Sequence, residues 1–166
     1  MNPTLHVAQV ATPFGPAVVV MCEDAIVEWW FTTFKNARLE LHTRWPEAVW
    51  EEDSQTVKQH IHDLFSDQKK ISVRLLLKGT DFQLSVWKSL LTIPVGQTVS
   101  YGELALRLGR PSAVRAVAHA VGKNPISYLL ACHRVLPVNR SIGQYRWGSD
   151  IKALLLRSEN AFFVET

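Results

Sequence analysis

From Leu5 to Cys22 the apolar residues crowd into two β-rich runs, "LHVAQVAT" and "AVVVMC", around a Pro/Gly-containing turn from Thr12 to Pro16. Branched and aromatic runs bounded by turn formers predict a pair of strands, and "AIVEWWF" predicts a third. Two helical stretches follow, around Thr32 to His42 and Ser54 to Phe65. Trp29, Trp30, Trp45 and Trp50 have no accompanying ligand pattern and are read as packing residues of a small α/β unit. "DQKKISVRLLLKG" gives a further strand or a linker, which places a domain boundary near Lys78 to Thr80.

Beyond that boundary the pattern becomes mostly helical. "GTDFQLSVWKSLLTIP" opens with Thr80 and has Gln83 three positions later, a capping box, and it stops before Pro94. "VSYGELALRLG" repeats the device with Ser100 and Glu103. It then sets Tyr101, Leu104, Ala105 and Leu108 at i, i+3, i+4 and i+7 before Gly109. "RPSAVRAVAHAVGKN" predicts another helix, with Pro111 in its first turn and its end at Gly122. Its apolar face is Val114, Val117, Ala118 and Val121, and Ser112, Arg115, Ala116 and His119 line the other side. Two short helices across a tight Gly-containing turn make a helix-turn-helix over about 100–122, or else a helix hairpin with an ordinary solvent face. In the first reading the small outer face enters a DNA groove and Arg115 reaches further in.

Charge sharpens the contrast between the halves. Residues 1–79 carry 8 Lys and Arg against 10 Asp and Glu, whereas residues 80–166 carry 10 against 5. Between Ser100 and Ser149 the only acid is Glu103, among seven cations. That distribution suits a polyanion or a solvated basic face. The chain of 166 residues, 47% hydrophobic, is long enough for one large or two small packed domains. It shows no secretory signal and no apolar stretch approaching the roughly 18 residues of a membrane span, so a cytoplasmic protein without a membrane partner is expected. Cys22 and Cys132 are too far apart for a disulfide framework or a structural zinc pattern. Free thiols, no metal and no cofactor are expected.

The chemistry concentrates in "YLLACHRVLP", residues 128–137, an apolar run that reads as a buried strand and ends on Cys132, His133 and Arg134. A cysteine ending such a run is either a small core residue or a nucleophile. Neighbouring cations and an imidazole lower the cost of the reactive thiolate. Neighbours on an extended strand point to opposite faces, so contact of Cys132 with His133 needs a turn or a bridging water. In the last helix, "SDIKALLLRSEN", a turn of about 100° per residue sets Glu159 near the stripe of Ile151 and Leu155. Glu159 is then either an inward carboxylate that requires a partner such as His133, or a solvated residue at a fraying end.

"GTDFQLSVWKSLLTIPVGQTVSYGELALRLGRPSAVRAVAHAVGKNP", followed by "ACHRV" and "GQYRWG", closely resembles the catalytic DNA-binding domain of the 6-O-alkylguanine-DNA alkyltransferases, over roughly Gly79 to Glu159. The resemblance implies an α/β fold: a ribonuclease H-like domain over 1–79, and over 80–166 a mostly helical DNA-binding, alkyl-acceptor domain. It implies direct reversal of DNA damage. O6-alkylguanine, mainly O6-methylguanine but also O4-methylthymine, leaves duplex DNA, and its alkyl group passes irreversibly, once per molecule, to Cys132. A monomeric, single-turnover methyltransferase acting on double-stranded DNA containing alkylated guanine is expected. Cys132 matches the acceptor, His133 and Glu159 its water-linked activating pair, and Tyr101 the proton donor to the departing guanine. Arg115 matches the arginine that fills the vacated stack, with Ser112, Ala116 and His119 on the same DNA-facing side. Asn124 is grouped with them and matches the asparagine bracing the turn before the active-site strand. Val135, Tyr145 and Arg146 fall where the family builds its guanine pocket, in part with backbone groups.

The chain departs from the pattern at three places. Ala131 stands where proline is common, which loosens the backbone before the thiol. His119 replaces a usual glycine. Arg146 and Trp147 stand where some members have small residues, which predicts a narrowed pocket favouring methyl over benzyl groups. A lesion-binding protein without an acceptor is disfavoured by Cys132, and with no four-cysteine zinc domain in this sequence a dedicated repair protein is the simpler expectation than a regulator using the helix-turn-helix alone. A thiol hydrolase would turn over, whereas an S-alkyl thioether leaves no carbonyl for water to attack.

Overall fold

In the computed structural model, which describes residues 2–66 and 72–165, the two apolar runs form strands β1 (Thr4–Thr12) and β2 (Gly15–Cys22), paired antiparallel. The Thr12 hydroxyl closes their turn, donating to the Gly15 carbonyl at 2.7 Å and accepting from the Phe14 N–H at 3.1 Å. Gly15, at φ +116°, takes a conformation that side chains disfavour. Strand β3 (Ala25–Trp30) pairs antiparallel with β2. Two short strands complete a sheet of order β4-β1-β2-β3-β5: β4 (Val49–Glu51) lies parallel to β1 and β5 (Arg74–Leu75) parallel to β3. Of the stretch read as strand or linker, residues 67–71 lie outside the described residues.

Helices α1 (Phe34–Arg44) and α2 (Gln55–Leu64) start at Thr33 and Ser54, whose hydroxyls accept the backbone N–H of Asn36 and Val57. This satisfies donors that a helix start leaves unpaired. Both helices pack on the sheet, α2 through Val57 and Ile61. All six residues of β3 are buried, Glu28 among them. The carboxylate is tolerated because it accepts from Trp30 Nε1 (2.9 Å), Arg44 Nε (2.7 Å) and Trp45 Nε1 (3.0 Å). Two of the four tryptophans thus act through their indole N–H as well as their bulk.

The chain divides into two units, Met1–Leu77 and Lys78–Thr166. In the second, α3 (Asp81–Leu90) and α4 (Tyr101–Arg107) begin with complete capping boxes, Thr80 with Gln83 and Ser100 with Glu103. Helix α4 ends in a Schellman motif. Gly109, at φ +72°, donates to Leu106, and Arg110 N–H returns to the Ala105 carbonyl at 2.9 Å. Helix α5 (Val114–Gly122) packs against α3 and α4. Strands β6 (Val99–Ser100) and β7 (Val135–Leu136) form a two-stranded parallel sheet, and α6 (Ser149–Ser158) closes the unit.

Three expectations need correction. Pro111 is not in the first turn of α5. It sits in a turn closed by Ala113 N–H to the Arg110 carbonyl at 2.9 Å, with proline at the second position, so Ser112 precedes the helix. The buried face of α5 is Val117, Ala120 and Val121, and Val114 is exposed. The run before Cys132 is not a strand. Residues 127–129 turn, Tyr128 has φ +73°, Cys132–Arg134 form one 3₁₀ turn, and only Val135–Leu136 extend. Asn124 imposes this bend by accepting the Ile126 N–H (2.9 Å) and donating to the Leu130 carbonyl (2.8 Å).

Candidate functional site

Cys132 lies at the floor of a cleft of about 830 Å³ in the C-terminal unit. Tyr101 reaches it from the start of α4, Ala118 and Val121 from α5, Tyr145 and Arg146 from the loop after β7, and Lys152 from α6. Cys132 is 7% exposed. Its backbone is set by Ala131, at φ −77° and ψ 60°, with the Cys132 N–H donating to the Leu130 carbonyl at 2.7 Å. These values describe an inverse γ-turn, a conformation that proline's fixed φ matches closely. Alanine therefore adopts the geometry that a proline would enforce.

The 3₁₀ turn sets His133 and Arg134 into one polar network around Glu159. His133 Nε2 bonds Glu159 Oε1 at 2.9 Å, and Arg134 grips the same carboxylate through Nε (2.9 Å) and Nη2 (2.8 Å). Arg134 Nη1 also donates to the Ile93 carbonyl at 2.6 Å. Burial alone would raise the Glu159 pKa, but the hydrogen bonds and charges of His133 and Arg134 outweigh it and hold the group at about 2. Burial lowers the His133 pKa despite Glu159, so the imidazole is neutral near pH 7. A neutral ring that donates Nε2–H to a carboxylate has its lone pair on Nδ1. That atom is buried without a protein partner among the described residues. Glu159 is therefore inward and paired, not solvated, and it fixes the tautomer that leaves Nδ1 basic.

Around the thiol, opposing effects meet. Burial raises the Cys132 pKa, while the Asn124 amide, the Lys152 ammonium and the Tyr145 hydroxyl act to lower it. Burial also raises the Tyr101 hydroxyl, reinforced by negative charge on Cys132, so this group stays protonated and able to donate. Tyr145 is held well above its ordinary value by burial and by the same charge.

Lys152 is the charged side chain of the cleft that the sequence reading missed. It is 1% exposed, and its ammonium donates to the Val135 carbonyl at 3.0 Å and the Gln144 carbonyl at 3.4 Å. It thereby ties the loop carrying Tyr145 to β7. Burial brings its pKa down to about 8, opposed by the attraction of Cys132. The signal was present: Lys152 stands three and four positions before the buried Leu155 and Leu156, on the inward side of α6.

The other expected residues divide clearly. Arg115, Ala116 and His119 are exposed together on α5, with Ser112 exposed in the preceding turn. Asn124, grouped with them, is 2% exposed and offers no surface to DNA; it braces the Cys132 turn from within. Tyr145 and Arg146 line the cleft. Val135 does not, since its side chain is buried in the core and its carbonyl is taken by Lys152. Trp147 does not narrow the cleft either. Its Nε1–H donates to Ser127 Oγ at 2.7 Å, which holds the indole off the lining, and Arg146 lies over the ring at 4.3 Å from its centroid.

Residues 81–161 match the family described as 6-O-methylguanine DNA methyltransferase, DNA binding domain. The methylated-DNA–protein-cysteine methyltransferase of Methanosarcina acetivorans is 35% identical over 158 residues, covering 95% of this chain and 99% of that protein. The regulatory protein Ada of Salmonella typhimurium is 42% identical over 124 residues, 72% of this chain, but the match spans only 35% of Ada. Among solved structures, the Mycobacterium tuberculosis O6-methylguanine methyltransferase superimposes with a TM-score of 0.75 at 33% identity, covering 94% of this chain and 93% of that one. The same protein in complex with DNA gives 0.73 at 32% identity, covering 93% and 92%.

Proposed function

The chain belongs to the methylated-DNA–protein-cysteine methyltransferase family, and on that premise we propose that it repairs DNA by direct reversal, taking the alkyl group of an O6-alkylguanine onto Cys132. An alkyl group on a stacked base is out of reach of a thiol at the floor of a cleft, so the nucleotide must first leave the duplex. The exposed face of Arg115, Ala116 and His119 meets the groove, with Arg115 reaching into the space left behind.

His133 Nδ1 then takes the Cys132 proton through a water, and Glu159 stabilises the imidazolium that results. The thiolate attacks the alkyl carbon: the S–C bond forms, the C–O6 bond breaks, and the electron pair stays with guanine. Tyr101 donates a proton to the departing base, and the imidazolium returns one to the phenolate. Each molecule reacts once, because the product is a thioether. The observation that carries this reading is His133, bonded to Glu159 through Nε2 with its Nδ1 buried and unpartnered among the described residues, next to a buried thiol that shares its cleft with Tyr101.

Residues 80–166 are the alkyl-acceptor domain in this reading, and residues 1–79 a supporting domain of ribonuclease H-like type. The protein acts as a monomer in the cytoplasm; no described helix is long and apolar enough to cross a membrane. Mass spectrometry after incubation with a duplex containing O6-methylguanine tests the proposal. One methyl group per protein, confined to the Cys132 peptide, is the expected result. An unmodified Cys132 despite tight binding of the duplex would overturn it.

A further inference from the structure

We propose that Glu103 and Arg140 are positioning residues for the transfer: their ion pair holds the loop that carries Tyr145 at a fixed distance from the helix start that carries Tyr101. The inference rests on the reading of the cleft as the alkyl-transfer site. Tyr101 is the first residue of α4, Tyr145 lies in the loop between β7 and α6, and both line the cleft. Glu103 serves the two at once. Its Oε2 accepts the Ser100 N–H at 3.0 Å, which caps α4, and its Oε1 accepts from Arg140 Nη2 at 2.8 Å. Arg140 is seated in turn: its Nη1 is shielded from water, its N–H donates to the Pro137 carbonyl at 2.8 Å, and its carbonyl accepts the Val164 N–H at 2.8 Å. The loop is not slack beyond this point, since a Cβ at Gly143 would stand 2.9 Å from the Pro137 ring, closer than carbon atoms pack. The limbs before and after Arg140 are thus in contact, and Pro137, Gly143 and Tyr145 line the cleft as one wall.

The charge of Glu103 is what the cap alone leaves unexplained. Helix α3 closes the same capping box with Gln83, so an amide suffices for the cap. Glu103 is also the only acid between Ser100 and Ser149, among seven cations, in the half of the chain that suits a polyanion. A carboxylate there works against DNA unless a cation neutralises it, and Arg140 does so. The Glu103 and Arg140 side chains are 48% and 30% exposed, and an ion pair so open to water adds little stability. What it supplies is a fixed spacing. In the transfer, a base resting on the Tyr145 wall must meet the Tyr101 hydroxyl as the C–O6 bond breaks, and the rate falls steeply when reacting groups are displaced.

The test follows methyl gain on Cys132 of the full-length protein at saturating O6-methylguanine duplex, beside alkylation of Cys132 by iodoacetamide. Iodide leaves without a proton, so the second reaction reads the thiol and the fold but not the donor. E103Q keeps the cap through its one amide oxygen and turns an NH2 group to the guanidinium; R140Q removes the cation and leaves the cap. Each should slow methyl transfer roughly tenfold, with the iodoacetamide rate held within about twofold. Because both break one bond, the double variant should be no slower than either single one. Arg140 makes a single bond to Glu103, which an ammonium can replace, so R140K should recover most of the rate. Multiplying losses in the double variant, no recovery with R140K, equal slowing of both reactions, or no slowing at all would overturn the pair as a positioning device. Absence of methyl from Cys132 in the unsubstituted protein would instead overturn the function on which it rests.

Discussion

Glu28 in the N-terminal unit and Glu159 in the C-terminal unit are built from the same parts. Each is a shielded carboxylate clasped by an arginine and by ring N–H groups: Arg44 with Trp30 and Trp45 at one, Arg134 with His133 at the other. The difference lies in where each network ends. An indole has one nitrogen, so Trp30 and Trp45 have no second ring nitrogen to present as a base once they donate to Glu28. An imidazole has two, and fixing one of them directs the other. At Glu28 burial prevails and raises the pKa; at Glu159 the bonds prevail and lower it to about 2. A buried carboxylate is thus structural or functional according to what its partner does with its far side.

The largest effect should separate the two thiols. C132S should abolish methyl transfer altogether, while the duplex still binds; C22S, in β2, should leave the rate within about twofold of the parent because nothing in the chemistry uses it. Any methyl recovered on a peptide of the C132S variant would break the assignment. The carboxylates come next. E159Q loses the charge that supports imidazolium formation, and the single-turnover rate should fall by about 10²–10³. E28Q should destabilise the fold by about 1–3 kcal/mol, because its amide keeps one acceptor oxygen and turns N–H donors towards groups that now donate to the other, with the transfer rate unmoved below the melting temperature. Equal slowing by both variants would erase the contrast.

The same pair gives a pH test. Because the folded Glu159 pKa is depressed from its ordinary value of 4.5 to about 2, its contribution is present above pH 4.5 and is lost as pH falls towards 2. The Glu28 pKa is raised, so its contribution has the opposite sign: stability is greatest below the unfolded value and declines as pH rises through the folded one. Denaturant melts from pH 5 to 2.5 should show the parent losing stability more steeply than E159Q. Parallel curves would contradict the depressed pKa.

What could be read in advance follows how locally each feature is encoded. The capping boxes of α3 and α4 involve residues three apart, and both formed as expected. Strand β4 has three residues and pairs in parallel with a strand distant in sequence, and no period of two is visible at such a length, whereas β5 forms inside the stretch read as a further strand or a linker. "YLLA" looked like a strand because a continuous apolar run reports burial and not conformation. The bend belongs to Asn124, whose amide reaches six residues ahead to Leu130. Pro111 fits a helix start and the second position of a turn equally, and the Arg110 to Ala113 bond decides for the turn. Helical phase left Glu159 either inward or solvated, and only its bond to His133, 26 residues away, decides for the inward reading and fixes the tautomer.

Lys152 offers a sharper form of the comparison, since it is a buried charge whose bonds all go to neutral carbonyls. K152M should keep the volume while removing both the tie between β7 and the Tyr145 loop and the positive charge near the thiol. Transfer should slow about tenfold, and the pH midpoint for alkylation of Cys132 by iodoacetamide should move upward. K152R should restore the midpoint if charge is what matters. A midpoint indifferent to K152M would leave Lys152 with the tie alone.

The smallest effect concerns the turn that holds the thiol. Ala131 already has φ −77°, within the range of a proline ring, and its N–H donates to no backbone carbonyl among the described residues. A131P therefore removes freedom mainly from the unfolded chain, and should raise stability by about 0.4–1 kcal/mol. Because the inverse γ-turn is formed without the ring, the transfer rate should stay within about twofold. A thermal melt and a single-turnover assay check the two halves of this expectation. A gain in rate well beyond that, with stability unchanged, would mean that alanine leaves Cys132 misplaced in solution, so that neighbouring bonds from Asn124 alone do not hold the acceptor.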